Sequence, residues 1–279
     1  QRLILIANVT FTNYWSVYGQ MSHNPERWNK TGTRGGPMMK QKTYTWFDWG
    51  IQSDSRNSVV FSFGGFHQIS DWGTEEHSAN IGFRWKPGSK FNIYVSANYN
   101  DTQQNSQWIT NLSDPVMQET YGTRYIFGEL DQKTLSFSIR LNWIFSPKLS
   151  LQAYIQPYIS VGSYDRFKEL ARPGSYDFNI YGEGNSSIFE EGSSYVIQPG
   201  SGAAEFSLSN PDFNYKSLRG TVVLRWEYRP GSTLYLVWTQ NRSDYANPGS
   251  FRFGRDFSDM IKAPGDDIFM LKFTYRFKI

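Results

Sequence analysis

The sequence contains no cysteine and only three histidines in 279 residues. The first absence excludes disulfides, thiolate metal sites and cysteine nucleophiles together. It leaves the compartment open, because an envelope or secreted protein can be built without bridges. Charge is also sparse, at 19 % of residues against about 25 % in an ordinary soluble domain. Lys and Arg are scattered despite a net charge of +3, not gathered into the runs that track a phosphate backbone, so nucleic acid is not an expected partner. No stretch approaches the roughly 18 to 20 uninterrupted apolar residues of a membrane-spanning helix, which excludes a helical membrane protein and leaves a membrane β-barrel open. Gln1 opens the chain with no initiator Met, charged n-region or apolar h-region, as expected of a mature product or of a piece of something longer, with any export signal upstream.

The chain is instead rich in rings: 10 Trp, 18 Tyr and 21 Phe, 18 % of all residues. Their spacing is informative. Near the C-terminus Phe269, Leu271, Phe273, Tyr275, Phe277 and Ile279 alternate with Met270, Lys272, Thr274, Arg276 and Lys278. Period two means a strand with one face in an apolar medium and the other in water. The same alternation recurs upstream. Leu135, Phe137, Ile139, Leu141 and Trp143 oppose Ser136, Ser138, Arg140 and Asn142; Leu151, Ala153 and Ile155 oppose Gln152, Tyr154 and Gln156; Val222, Leu224 and Trp226 oppose Thr221, Arg225 and Glu227; and Ile93, Val95 and Ala97 oppose Tyr94, Ser96 and Asn98. About ten strands are expected, the less regular ones near residues 2–16, 43–52, 58–69, 77–86 and 232–245.

Turn chemistry sorts the connections. Tight ones are expected at Ser53 to Asn57, Lys86-Pro87-Gly88-Ser89, Ser146-Pro147-Lys148 and Arg229-Pro230-Gly231-Ser232. Long ones alternate with them, at about 19–42, 70–76, 110–122, 164–214 and 246–266. Short turns on one side and long loops on the other, with an even strand count, describe a transmembrane antiparallel β-barrel of the bacterial outer membrane. Lipid offers the backbone no hydrogen bonds, so such a wall must be a closed sheet. If the last strand ends in the periplasm, the four tight turns and the N-terminus lie there too. The segments 90–109 and 123–145 are about twice the 9 to 11 residues a spanning strand needs, and predict a hairpin rising above the outer surface. Trp85, Trp143, Trp226 and Tyr228 near the tight turns suit an interfacial girdle.

Several stretches resemble a known family. They are Thr33-Arg34-Gly35-Gly36-Pro37, Phe167-Lys168-Glu169-Leu170-Ala171-Arg172-Pro173, Ser217-Leu218-Arg219-Gly220, Arg225-Trp226-Glu227-Tyr228-Arg229-Pro230-Gly231-Ser232, Trp238-Thr239-Gln240 and Gly254-Arg255-Asp256-Phe257. Together they resemble the outer-membrane β-barrel region of unknown function found in Bacteroidota, usually C-terminal to a domain like carbohydrate-binding module family 9. The resemblance covers most of the chain. It implies an outer-membrane barrel and a link to glycan handling, with no settled activity to carry over. This chain lacks the N-terminal module, and the resemblance also implies barrels longer than 279 residues, so that the strands here would form part of a larger one.

For catalysis a nucleophile needs a base, and His23, His67 and His77 show no such pairing and no zinc spacing. Enzymatic activity, cofactors and metals are therefore not expected. Asp101, Asp114, Asp266 and Asp267 lack the twelve-residue ligand pattern of a calcium loop. The candidate pore-lining set is Arg84, Lys86, Arg140, Arg219, Arg225, Glu227, Lys272 and Arg276. A basic wall of this kind favours anions; the alternative is that these cations pair with carboxylates of a plug or folded-in loop. The connection Tyr164 to Asn214 is too long for a passive link. Its rings Phe167, Tyr176, Phe178, Tyr181 and Tyr195 are candidate contacts for sugars, or else the loop's own small core. Phe273, Tyr275, Phe277 and Ile279 resemble the closing-strand signal read by the barrel assembly machinery, with Ile in place of the usual final Phe. The expected function is a channel or the barrel subunit of a nutrient-uptake or envelope complex, integral to the outer-membrane lipid, with a protein partner and a glycan as candidate associates. The alternatives are a non-conducting anchor or scaffold, an outer-membrane hydrolase, and a soluble all-β protein.

Overall fold

The computed structural model describes residues 2–200 and 202–277. In chain order the strands are β1 (Leu3–Thr10), β2 (Ser16–Asn24), β3 (Arg27–Asn29), β4 (Met39–Gln41), β5 (Tyr44–Gln52), β6 (Val59–Ser70), β7 (Glu75–Gly88), β8 (Phe91–Ser113) and β9 (Thr123–Ser146). After them come β10 (Leu149–Leu170), β11 (Phe178–Ile180), β12 (Ser187–Glu191), β13 (Ser194–Gln198), β14 (Phe206–Ser209), β15 (Phe213–Arg229), β16 (Ser232–Asp244) and β17 (Gly265–Thr274), with one helix, α1 (Phe253–Lys262), before the last. The main sheet runs β1-β2-β5-β6-β7-β8-β9-β10-β15-β16-β17, every pair antiparallel, and β11 adds to β10.

The register explains the alternation. Paired residues share a face, and across β7, β8, β9, β10 and β15 the row Ile81, Ala97, Phe137 is succeeded by Phe83, Val95, Ile139, Ile155, Gly220 and by Ile93, Leu141, Ala153, Val222. Leu224, Leu236 and Leu271 continue it to β17. One face of the sheet is therefore apolar from end to end. Near the tight turns it carries rings in contact: Trp85 with Phe91, Phe91 with Trp143, Trp143 with Phe145, and Tyr228 with Phe273, at centroid separations of 4.5–5.6 Å. The other face carries mainly Ser, Thr, Asn, Gln, Tyr and Arg, with apolar residues toward the two edges, among them Ile4, Ile6, Trp46 and Phe66 at one and Val237, Ile268 and Met270 at the other.

Four sequence expectations need correction. Residues 2–16 are not one strand but β1, a five-residue turn and the start of β2. Asn13 makes that turn: its Oδ1 accepts the Trp15 N–H at 3.2 Å, and Tyr14 adopts φ 63°, a conformation an Asx-turn tolerates. The sheet path thus has eleven strands, an odd number, and β1 begins at the end opposite the tight turns, since Leu3 pairs with His23. The connection at 70–76 is a tight turn, closed by Ser70 N–H on the Thr74 carbonyl at 2.9 Å with Gly73 at φ 73°. Finally, 164–214 and 246–266 are partly regular: β10 extends to Leu170, β15 begins at Phe213, and the second segment holds α1.

Strands β8, β9 and β10, of 23, 24 and 22 residues, stand well beyond their neighbours as a tower. Register shifts at Gln104/Gln107, Trp108/Thr110 and Asp165/Lys168 mark where the alternation ends, as bulges do. Above them both faces are covered. Ile126, Phe167, Tyr181, Ile197 and Leu208 form one cluster beneath the small sheet β12-β13-β14, and Met39, Tyr125, Phe127 and Leu170 form another beneath the β3-β4 hairpin. Burial on both faces is why Tyr125-Ile126-Phe127 reads as a continuous apolar run and not an alternating one.

Candidate functional site

The polar face organises its cations on tyrosines. Arg84, Tyr94, Arg140 and Tyr154 are register partners across β7 to β10, and the guanidinium groups of Arg84 and Arg140 lie 5.9 and 5.2 Å from the rings of Tyr94 and Tyr154. A second rung joins Arg225, Tyr235 and Lys272 across β15 to β17, with Lys272 Nζ 5.9 Å from the Tyr235 ring. Each such contact is worth about 0.5–1 kcal/mol at an exposed site and orients the charge without neutralising it. Arg219 lies on the same face, between Gln156 and Asn241. Arg225 also meets Glu227 at 3.4 Å. Glu227, Lys86 and Arg276 sit at the tight-turn rim. There Glu227 accepts the Gly231 N–H at 3.0 Å, the Lys86 N–H donates to the Ser58 carbonyl at 2.6 Å, and the Arg276 N–H donates to Ser232 Oγ at 3.0 Å.

The ring candidates of the long loop divide. Phe167 and Tyr181 are buried in the loop's own core, Tyr195 packs against Phe167 with the rings tilted by 48° and centroids 4.6 Å apart, and Phe178 packs edge-on against Phe127 at 5.3 Å. Tyr176 differs, because it lines a cavity of about 510 Å³ at the loop end of the sheet. The cavity's lower wall is the top of the polar face, through Tyr44 and Gln68; its sides are Gln104 and Trp108 of β8; its rim is the β3-β4 hairpin and Trp72 of the tight turn after β6. Burial raises the Tyr176 phenol above its ordinary value, and its hydroxyl is bonded to Ser106 Oγ. Sequence reasoning missed this cavity because its walls come from five separated segments.

The stretches that carried the family resemblance turn out to be ties between these elements. In Thr33-Arg34-Gly35-Gly36-Pro37, Gly35 takes φ 105°, which favours glycine, and a Cβ on Gly36 would lie 2.1 Å from the Tyr125 ring. Asn111 Nδ2 donates to the carbonyls of Thr33 and Arg34 at 3.1 and 3.3 Å. Along the 167–173 stretch, Lys168 donates to Glu129 at 3.2 Å, Glu169 pairs with buried Arg124 and accepts Tyr181 Oη–H at 2.8 Å, and Arg172 pairs with Asp177 at 2.6 Å. Burial pushes the Lys168 ammonium down and the Tyr181 phenol far up. At Trp238-Thr239-Gln240 both polar hydrogens reach Asp267, at 2.9 and 3.1 Å, and Asp256 is fully buried at the start of α1, accepting the Arg252 N–H at 2.7 Å.

Residues 2–277 match a domain of unknown function, DUF5916. The chain belongs to this family. No curated protein matches it. Among solved structures, the DUF5916 chain is similar to the crystal structure of the siderophore receptor PiuA from Acinetobacter baumannii, at TM-score 0.52 and 11 % identity, over 98 % of this chain and 44 % of that one. The likeness is one of fold, and this chain spans less than half the receptor's length.

Two histidines are closer than the sequence suggests. His67 and His77 are register partners in β6 and β7, with their Nδ1 atoms 2.7 Å apart. Among the described residues no group of three or more His, Cys, Asp or Glu is placed to hold a metal ion. Phe273 lies on the apolar face of β17 and Tyr275 and Phe277 follow it, both exposed; Ile279 lies outside the described residues.

Proposed function

We propose that the chain forms wall of a bacterial outer-membrane β-barrel, non-enzymatic, that passes solutes along its polar face as a channel or as the barrel subunit of an uptake or envelope complex. One observation carries this reading: the register of eleven strands gives the sheet one continuous apolar face, while amides, hydroxyls and Arg–Tyr rungs gather on the other, most cleanly from β7 to β10. A soluble sheet would bury that apolar face, yet Phe61, Phe63, Ile81, Trp85, Trp143 and Trp226 are all exposed on it. Lipid is the medium that accepts such a face. The turns after β1, β5, β7, β9 and β15 then lie in the periplasm, and the tower and the short turn after β6 outside. The fold shared with a siderophore receptor is compatible with uptake.

The test has two stages. The protein should resist carbonate and urea and leave membranes only with detergent; release without detergent refutes the membrane reading. In planar bilayers a salt gradient should give a reversal potential favouring anions, reduced by Arg140→Glu with Arg225→Glu. A correctly inserted protein with no conductance would leave the scaffold reading, which the two-faced core of the tower favours as a platform for a partner.

A further inference from the structure

The cavity at the loop end combines three chemistries in one volume. Its size lies within the roughly 300–1,000 Å³ of small-molecule sites. Three cations line it, Arg34, Lys40 and Lys42, and no carboxylate does so among the described residues. Glu26, outside the lining, holds Lys40 at 2.7 Å and Lys42 at 3.2 Å; these two hydrogen bonds keep its carboxyl below the ordinary range. The two ammonium groups are thus positioned in advance while one carboxylate offsets three cations, leaving a surplus of positive charge. Lys42 Nζ also sits 4.4 Å from the centroid of Trp72, and the Arg34 guanidinium 5.4 Å from that of Trp108.

The rings make a corner. Trp72 and Tyr176 meet edge to face at 5.1 Å and 65°, and Trp72 is 41 % exposed. Around them stand side-chain amides, those of Asn29, Gln41, Gln68, Gln104 and Gln107, each able to donate and accept at once. A bare inorganic anion has no use for the rings, and a flat aromatic anion has little use for so many amides. A sugar ring uses both, because it presents a C–H face to an aromatic plane and a hydroxyl edge to amides. The cations add the requirement for an acidic substituent.

We propose that this cavity binds an anionic saccharide, with the sugar face against Trp72 and Tyr176 and the acidic group on Lys42 and Arg34. The proposal rests on the outer-membrane reading only for the side from which the ligand arrives. Carboxylated and sulfated sugars share the recognised chemistry, and the experiment separates them. The full chain in detergent micelles is titrated with trigalacturonate, a chondroitin sulfate tetrasaccharide and maltotriose, following tryptophan fluorescence and heat. At least one acidic oligosaccharide should bind about tenfold or more tightly than maltotriose, and its affinity alone should weaken as salt is raised from 50 to 300 mM, because salt screens charge.

Lys42→Gln should weaken the acidic ligand about tenfold, in keeping with the loss of a charged hydrogen bond, and leave maltotriose unchanged. Trp72→Ala should weaken both. Each variant is accepted only if its far-UV spectrum and heat-dependent gel mobility match the parent. Absence of binding by both acidic sugars, equal affinity for maltotriose, tighter binding of a ferric catecholate than of either sugar, or indifference to both substitutions would overturn the proposal. Saccharide binding by a protein that leaves membranes without detergent would refute the membrane reading and leave this site standing.

Discussion

At the scale of single residues the two faces make opposite demands. Leu141 of β9 has Ile93 and Ala153 as register partners, and its neighbour Asn142 has Asn92 and Gln152. Leu141 lies five residues from Ser146, where β9 ends, which in the proposed barrel is about 12 Å along the membrane normal for a strand tilted by about 45°. That is close to the middle of an apolar band about 25 Å tall. Leu141→Arg should therefore cost about 2–4 kcal/mol in folding titrations into vesicles, while Asn142→Arg stays near the parent. Equal costs at the two positions would refute the assignment of faces. A different test reads the tower. Asp114 holds Arg124 at 2.7 Å, and its carboxyl lies below the ordinary range because the Val116 backbone N–H and then the Arg124 side chain donate to it. A carboxyl with a lowered folded value contributes fully above about pH 4 and loses its contribution as pH falls further. Protease cleavage within 114–122 should accordingly rise on acidification below about pH 4, and Asp114→Asn should remove that rise. The alternation exposed which residues share a face, so Arg140 and Arg225 were legible from the sequence. Their tyrosine partners were not, because Tyr154 and Tyr235 become neighbours only through inter-strand register; the His67–His77 pair was hidden for the same reason.

Among elements, legibility followed the medium on each side. Strands with one apolar and one polar face, such as β9 from Leu135 onward or β15, declared themselves by period two. Where both faces are packed, the period vanished, and the end of β10 merged with the loop that follows. The turn after β1 was missed for a local reason, since Phe11-Thr12-Asn13-Tyr14-Trp15 has no Gly or Pro and depends on one Asx side chain. Helix α1 was hidden within a stretch marked by Pro248 and Pro264. The loop core gives the prediction for this scale. Phe167 is 4 % exposed and packs against Tyr195 and the Ile126 cluster. Phe167→Ala should cost about 3–5 kcal/mol locally and open residues 171–212 to proteolysis. Detergent-resistant structure in the lower sheet should persist; its loss would mean that tower and wall form one cooperative unit.

For the whole molecule, strand direction matters more than strand number. Alternating along the path, β1 and β17 both run from the loop end toward the tight turns, and neither has a second partner among the described residues. Direct closure would pair these two edges in parallel. An all-antiparallel barrel therefore needs an odd number of further strands between them. The absence of native cysteine makes this directly measurable. Ala7→Cys combined in turn with Phe269→Cys, Leu271→Cys and Phe273→Cys, which share its apolar face, should give no oxidative cross-link, whereas the register partners Leu236→Cys and Leu271→Cys should close, given the Cα separations of about 4.4–6.8 Å that a disulfide accepts. A cross-link between β1 and β17 would show that the sheet closes on itself.

The order of the sheet also sets a timetable for its assembly. With one exception, each strand of the path from β5 to β10 pairs with the strand just before it in the chain, so these hairpins close between neighbours in sequence. The larger exception is β15, which must find β10 across the 42 residues between Leu170 and Phe213. Against a five-residue turn, that search costs about 2 kcal/mol more in loop-closure entropy. The excursion does not remain a free coil, however: β11 zips onto β10, Ile197 and Leu208 pack on Ile126 and Phe167, and Asp212 Oδ1 accepts the Tyr164 N–H at 2.7 Å. Folding of that cap brings Phe213 back beside Gly162, its register partner. The cap is thus a splint that makes a distant strand a local one, and the slow event in building this wall should be the folding of residues 171–212.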